Sequence, residues 1–168
     1  MDKNIDKVTQ FRQALGNYPT GVNVVTGVDK DGEPIGLTVN SLASVSLDPL
    51  LILWSVDEDV STYHTFKDID TFAVNILSEE QKDIAVLFST KDKEDERFQE
   101  CAWHLSEHEL PVIEGALATL QCKTFHTVEV GDHTTLFGEV IDVKATEQMP
   151  LLYHKRHMGP LPKEFHGK

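Results

Sequence analysis

Ala116-Leu117-Ala118-Thr119-Leu120-Gln121-Cys122 continues through Val128 to Gly131-Asp132, then resumes as His133-Thr134-Thr135-Leu136-Phe137-Gly138-Glu139-Val140-Ile141-Asp142-Val143. Apolar residues recur at alternate positions in both arms. That period marks a half-buried strand, because successive side chains point to opposite faces of a sheet. The spacing predicts that Ala116, Ala118, Leu120, Cys122 and Val128 share one face, and that Thr135, Phe137, Ile141 and Val143 share one face of the return arm. Gly131-Asp132 between them reads as a turn, so the two arms form one long antiparallel hairpin.

The same reading extends upstream. Residues 22–28 are rich in β-branched side chains, Asp29-Lys30-Asp31-Gly32-Glu33 is a turn, and residues 35–40 form the partner strand. Ser46-Leu47-Asp48-Pro49 breaks the chain before a strand over 50–56, and residues 72–77 are another apolar strand. Three short helices are inserted. Val8, Phe11 and Leu15 recur at helical spacing, ended by Gly16 and Pro19. Ser61 is the expected cap of a helix running to Phe66. Ser78-Glu79-Glu80-Gln81 matches a capping box, with Ile84, Leu87 and Phe88 supplying the buried stripe that follows. Residues 90–100 are dense in mixed charge and read as an exposed loop with helical turns. Seven or so hairpin-linked strands with three helices predict a mainly β, antiparallel barrel rather than an alternating βαβ protein. No GxGxxG and no Walker loop is present, so any nucleotide is held by another device.

The chain has 168 residues, enough for one core without staples. Asp+Glu total 28 against 15 Lys+Arg, a formal charge of −13. That balance excludes general binding to nucleic acid or to anionic membranes, both of which need a cationic footprint. Cys101 and Cys122 form neither a CxxC pair nor a ligand cluster, and one pair in a domain this size is no secreted framework. The start Met1-Asp2-Lys3-Asn4-Ile5-Asp6-Lys7 lacks the apolar core of a signal peptide, and no apolar run approaches a membrane span. A cytoplasmic location is the expectation.

Two stretches could carry chemistry. Gly36-Leu37-Thr38-Val39-Asn40-Ser41 with Ser44-Val45-Ser46-Leu47-Asp48-Pro49 interleaves small polar and apolar residues. It reads either as a half-buried strand with a polar face, or as a strand end whose backbone approaches a flat heteroaromatic ring. In residues 55–65, Ser61 and Thr62 at a helix start combine hydroxyls with free amides, a plain cap or a phosphate contact.

Together these stretches resemble the flavin-binding signature of the flavin reductase-like family. Phe72-Ala73-Val74-Asn75-Ile76-Leu77, Leu87-Phe88-Ser89, Arg97-Phe98, Val130-Gly131-Asp132-His133 and Pro150-Leu151-Leu152-Tyr153 with Arg156 follow in the family's order, over residues 8–157. The resemblance implies a split barrel binding FMN or FAD, with NADH or NADPH as hydride donor. It also implies a homodimer, and a flavin-dependent monooxygenase as possible recipient of reduced flavin. It implies that Thr38, Val39, Asn40 and Ser41 lie along the isoalloxazine. Ser55, Ser61, Thr62 and Tyr63 would approach the ribityl-phosphate, and Phe88 and Ser89 would close that side. Gly131, Asp132 and His133 would meet the nicotinamide, with His133 the foremost contact and Tyr153 and Arg156 further substrate contacts. A flavin-holding electron carrier, or a non-catalytic flavin-binding module, is the alternative on the same fold.

Residues 1–157 are read as the domain and 158–168 as an extension, a tail or a lid. A globally negative protein repels anionic nucleotides at long range, so the site is expected to work by hydroxyls and amides, with Arg97 or Arg156 as local help. A competing motif, His104-x-x-Glu107-His108 beside Cys101, has inverted zinc-protease spacing and would need a helix to bring both imidazoles to one face. No metal is expected.

Overall fold

A computed structural model describes residues 6–167. In chain order the elements are α1 (Lys7–Gly16), β1 (Thr20–Gly21), β2 (Asn23–Val28), β3 (Pro34–Val39), β4 (Ala43–Leu47) and β5 (Leu50–Asp57). Then come α2 (Tyr63–Lys67), β6 (Thr71–Ile76), a 3-10 turn over Glu79–Gln81 entering α3 (Lys82–Ser89), and a second over Lys91–Glu96. β7 (Trp103–Leu105), β8 (Pro111–Ile113), β9 (Ala118–Val130), β10 (His133–Ala145), β11 (Leu151–His154) and β12 (His157–Pro160) complete the strands. The expectation of no leader at residues 1–5 lies outside the described residues.

Seven strands form one antiparallel sheet in the order β3-β2-β6-β9-β10-β5-β4. Val25, Val39, Trp54, Val56, Phe72, Val74, Cys122 and Leu136 from six of those strands pack on one cluster, which α2 closes with Tyr63 and Phe66. A sheet whose strands all send side chains into one interior is a barrel, and this is the expected antiparallel split barrel with a few short helices. Trp54 anchors it, with Phe66 and Phe72 edge-on at 5.2 and 5.7 Å. A second cluster, with Val22, Val24, Leu77, Phe88, Ile113 and Leu151, joins the barrel to α3, β8 and the small sheet β1-β11-β12. The Gln81 side chain accepts from the Ser78 backbone N–H at 3.1 Å, so the capping residues do mark the entry to α3, through a 3-10 turn.

Three expectations are corrected. Along β10 the buried set is Thr134, Leu136 and Gly138, whereas Ile141 and Val143 are exposed. Both alternating sets are partly apolar, so hydropathy alone selected the wrong face. Along β9, His126 pairs with Phe137 and Thr124 with Gly138, leaving Phe125 as a bulge. One extra residue reverses the period-two parity, and Val128 lands outside, opposite Thr135. The stripe of α1 (Val8, Phe11, Leu15) is exposed rather than packed. Residues 157–160 pair with β11 as the second arm of the last hairpin.

Candidate functional site

β3 ends at Val39 and β4 begins at Ala43, so Asn40, Ser41 and Leu42 belong to neither strand and their backbone groups lie outside the ladders. This strand end borders a cavity of about 290 Å³ lined by Thr38, Val39, Asn40, Ser89, Tyr153 and Met158. Five of the cavity's eight lining residues are ones the sequence singled out, and Val22, Ala85 and Met158 are the others. The Asn40 side chain is exposed and makes no hydrogen bond to a described residue. Thr38 is turned inward: its hydroxyl donates to the Ala85 carbonyl at 2.7 Å, tying β3 to α3. The Ser89 hydroxyl donates to the Val86 carbonyl at 2.9 Å.

From Asn40 a polar row runs across the outer face of the barrel. Ser41 Oγ accepts from the Ser55 N–H at 3.0 Å, and Ser55 Oγ lies 2.8 Å from Thr135 Oγ1. Ser55 opposes Thr135 and Asp57 opposes His133. Two-residue spacing on both strands puts all four side chains on one face. Gly131-Asp132 is the two-residue turn of the β9–β10 hairpin, with Gly131 at φ 63°, as a type II′ turn requires. His133 Nδ1 lies 2.7 Å from Asp132 Oδ1, and this hydrogen bond holds the Asp132 carboxyl below the usual carboxylate range. The Asp132 carbonyl accepts from the Glu58 N–H at 3.0 Å, which fastens the turn to the acidic 57–59 loop.

Other expected contacts sit elsewhere. Phe88 is fully buried against Phe98 and Gly36, and Tyr63 is buried with its hydroxyl 2.9 Å from Thr134 Oγ1, so both are interior rather than lining residues. Thr62, not Ser61, is the N-cap of α2, without a side-chain cap bond, and the Ser61 hydroxyl donates to Glu94. Thr62 Oγ1 is buried with no hydrogen-bond partner among the described residues. Arg97 is buried too. It donates to the Gly36 carbonyl at 2.9 Å and the Thr90 carbonyl at 3.1 Å with Glu94 4.0 Å away, and burial lowers its pKa, so it clamps the loop and is not open to a ligand. The zinc motif fails on secondary structure: His104 sits on strand β7 and His108 in the turn after it. Among the described residues no group of three or more His, Cys, Asp or Glu is gathered for a metal. Likewise among the described residues, no helix is long and apolar enough to cross a membrane.

A groove of about 800 Å³ adjoins the cavity and shares Asn40 and Tyr153 with it. It lies between α1 and the turn Lys155-Arg156, and Arg156 lines it. Arg12, Lys155 and Met158 were not anticipated. The only available signal was the alternation of Tyr153 to Met158, which lacks the Asn-Gly that usually announces a tight hairpin.

The flavin reductase like domain matches this chain over residues 15–162. The reductase component of the flavin-dependent trigonelline monooxygenase of Acinetobacter baylyi is 46% identical over 136 residues, covering 81% of this chain and 43% of that protein. The FMN reductase (NADH) SmoA of Agrobacterium fabrum is 39% identical over 143 residues, 85% of this chain and 80% of that one. The NADH:FAD oxidoreductase SgcE6 of Streptomyces globisporus, solved with NAD and FAD fragments, superimposes with a TM-score of 0.87 at 33% identity over 99% of both chains. The chain thus spans less than half the length of the first relative and most of the other two. With the domain matched over most of its length, this chain belongs to the flavin reductase-like family.

Proposed function

We propose that this chain is an NAD(P)H:flavin oxidoreductase, passing a hydride from NADH or NADPH to FMN or FAD and supplying the reduced flavin to a partner monooxygenase. The observation that carries the reading is the strand end at 38–42, where Asn40 borders the cavity and leads into the Ser41–Ser55–Thr135 row that ends beside His133. The names of three relatives support it: an NADH-dependent FMN reductase, an NADH:FAD oxidoreductase and the reductase component of a monooxygenase.

Flavin, when bound, would supply the two-electron acceptor; the protein's share is binding, orientation and charge placement. The residues present fit such a group. An uncommitted Asn40 amide offers both donor and acceptor to a polar ring edge, and the backbone of 40–42 is open beside it. Thr38, Val39 and Ser41 flank the ring. Ser55 is assigned to the ribityl-phosphate, and Ser89 closes the cavity beside Asn40. His133 is assigned to the nicotinamide: Asp132 holds Nδ1 and leaves Nε2 as the open ring nitrogen. Gly131 and Asp132 form its wall, and Tyr153 and Arg156 serve substrate from the groove.

A second copy of the chain is the partner assigned to the outer apolar face. Phe125, Val128, Val130, Ile141 and Val143 on β9 and β10 are all exposed, Val130 by 61%. Single exposed apolar side chains are ordinary, but Val128 and Val130, neighbours on the face they share with Thr135 and His133, mark a contact surface at the tip of the hairpin. The two thiols are free, which suits a reducing cytoplasm.

The test is oxidation of NADH and of NADPH by the purified protein with FMN or FAD added. Acceleration by flavin is the expected outcome. Tight flavin retention without pyridine-nucleotide oxidation would instead identify an electron carrier.

A further inference from the structure

We propose that Thr135 is a positioning residue: it orients the Ser55 hydroxyl so that the pair keeps one proton to donate to the ribityl-phosphate of flavin. The proposal rests on the assignment of Ser55 to that phosphate above and adds the group that holds it.

Placement is the first observation. Thr135 on β10 stands opposite Ser55 on β5, and their hydroxyl oxygens lie 2.8 Å apart. Ser41 closes the row from the other side, but its own proton is committed. Its hydroxyl accepts from the Ser55 N–H at 3.0 Å and donates to the Ser55 carbonyl at 3.3 Å. Ser41 therefore fixes the backbone at Ser55, and Thr135 alone fixes the side chain.

Proton counting is the second. Two hydroxyls joined by one hydrogen bond hold two protons and use one. Whichever of them donates, one O–H is left over, and no described residue accepts it. Leu53 and Phe137, two residues along each strand on the same face, are apolar, and so is Val128 opposite Thr135. A half-buried pair with a spare donor and no protein acceptor suits an anionic oxygen. Donation from Thr135 to Ser55 also polarises the Ser55 O–H and strengthens it as a donor.

Charge is the third. Asp57 is two residues along β5 from Ser55 and shares its face, and Asp132 lies in the turn next to His133. A carboxylate aimed at the pair would repel a phosphate, but each of these is committed elsewhere. Asp57 Oδ1 accepts from the Asp59 N–H at 2.9 Å, and Asp132 Oδ1 lies 2.7 Å from His133 Nδ1.

Strand pairing does not require the hydroxyls. The two strands stay in register from Asp57 opposite His133 to Leu51 opposite Glu139. Valine matches threonine in shape and suits a strand, so Thr135→Val separates orientation from folding.

FMN and riboflavin are the probes, since they differ only in the phosphate. Equilibrium dialysis against the full chain gives both dissociation constants, and the unaltered protein should prefer FMN. Thr135→Val should raise the FMN constant about fivefold and the riboflavin constant by less than about twofold, while Thr135→Ser should restore the FMN value. Ser55→Ala should reduce the preference at least as far. Ser55→Ala combined with Thr135→Val should lose no more than Ser55→Ala alone, because Thr135 acts only through Ser55. An FMN preference untouched by Thr135→Val, an equal loss of riboflavin binding, or additive losses would overturn the proposal while leaving Ser55 at the phosphate. If Ser55→Ala leaves the preference intact, or the unaltered protein shows none, the assignment of Ser55 fails and the proposal with it. Failure of the reductase reading would appear separately, as absence of flavin-stimulated NADH or NADPH oxidation.

Discussion

Arg97 lies 61 residues from Gly36 in sequence and donates Nη1 to its carbonyl at 2.9 Å, while Phe88 packs where a side chain on Gly36 would stand. A Cβ at position 36 would be 2.5 Å from Phe88 Cε1 and 3.3 Å from Phe98 Cζ. Phe98 in turn stacks edge-on with Phe88 and Trp103, at 5.2 and 5.3 Å. The strand that carries Thr38 into the cavity is therefore held from behind by an aromatic row and one buried guanidinium.

Gly36→Ala should accordingly destabilise the protein by about 1–3 kcal/mol through overpacking. Arg97→Lys should cost about 2 kcal/mol, because an ammonium cannot span both carbonyls. Urea unfolding of each variant checks this, and an unchanged midpoint would show that the loop is held by other contacts.

His133→Ala should raise KM for NADH or slow hydride transfer with little change in flavin affinity. Equal loss of flavin binding would reassign the residue. Asp132 adds a pH argument. Its folded pKa is depressed by the His133 bond, so the carboxylate form is favoured above its ordinary range and the benefit is lost only as pH falls through the depressed value. Asp132 therefore stays ionised from about pH 5 to 9. The stability difference between Asp132→Asn and the unaltered protein should therefore be present above about pH 4 and shrink as pH falls below it, read as converging urea midpoints.

The thiols should be silent in the native protein. Burial pushes Cys101 up to about 11 and Cys122 to about 12, from an ordinary value of 9.0. At pH 8 only about one Cys101 in a thousand is thiolate. Thiol reagents should label neither residue until denaturant is added, and then both. A folded pKa above the unfolded one also means that stability is intact below about pH 9 and declines from 9 towards 11.

Val130→Glu places a charge at the hairpin tip of β9, within the proposed contact between copies. It should shift sedimentation from dimer towards monomer, with the circular dichroism of the barrel unchanged. A monomeric unaltered protein would remove that contact.

Much of the barrel was legible because hairpins are local. Gly131-Asp132 and Asp29–Glu33 announce their own turns, and the Ser78–Gln81 box announces α3. The strand end at 38–42 was legible for the same reason, as a change of composition along the chain. Which face of β10 is buried was not, since Thr134, Leu136 and Gly138 look no more apolar than Thr135, Phe137 and Ile141. The bulge at Phe125, which inverts β9, has no local mark at all.

The amino-acid sequence by itself determined the antiparallel β architecture, the flavin reductase-like signature and the acidity that obliges anionic ligands to be held at short range. Only the tertiary structure decided which basic residues are buried and which are brought together. Arg97 reads as an exposed loop cation but is buried on two carbonyls, whereas Arg12 and Lys155, 143 positions apart and unremarked in the sequence, share one groove. Formal charge is a property of the chain, but the field a ligand meets depends on which charges are buried, paired or brought together, and that is set by long-range packing.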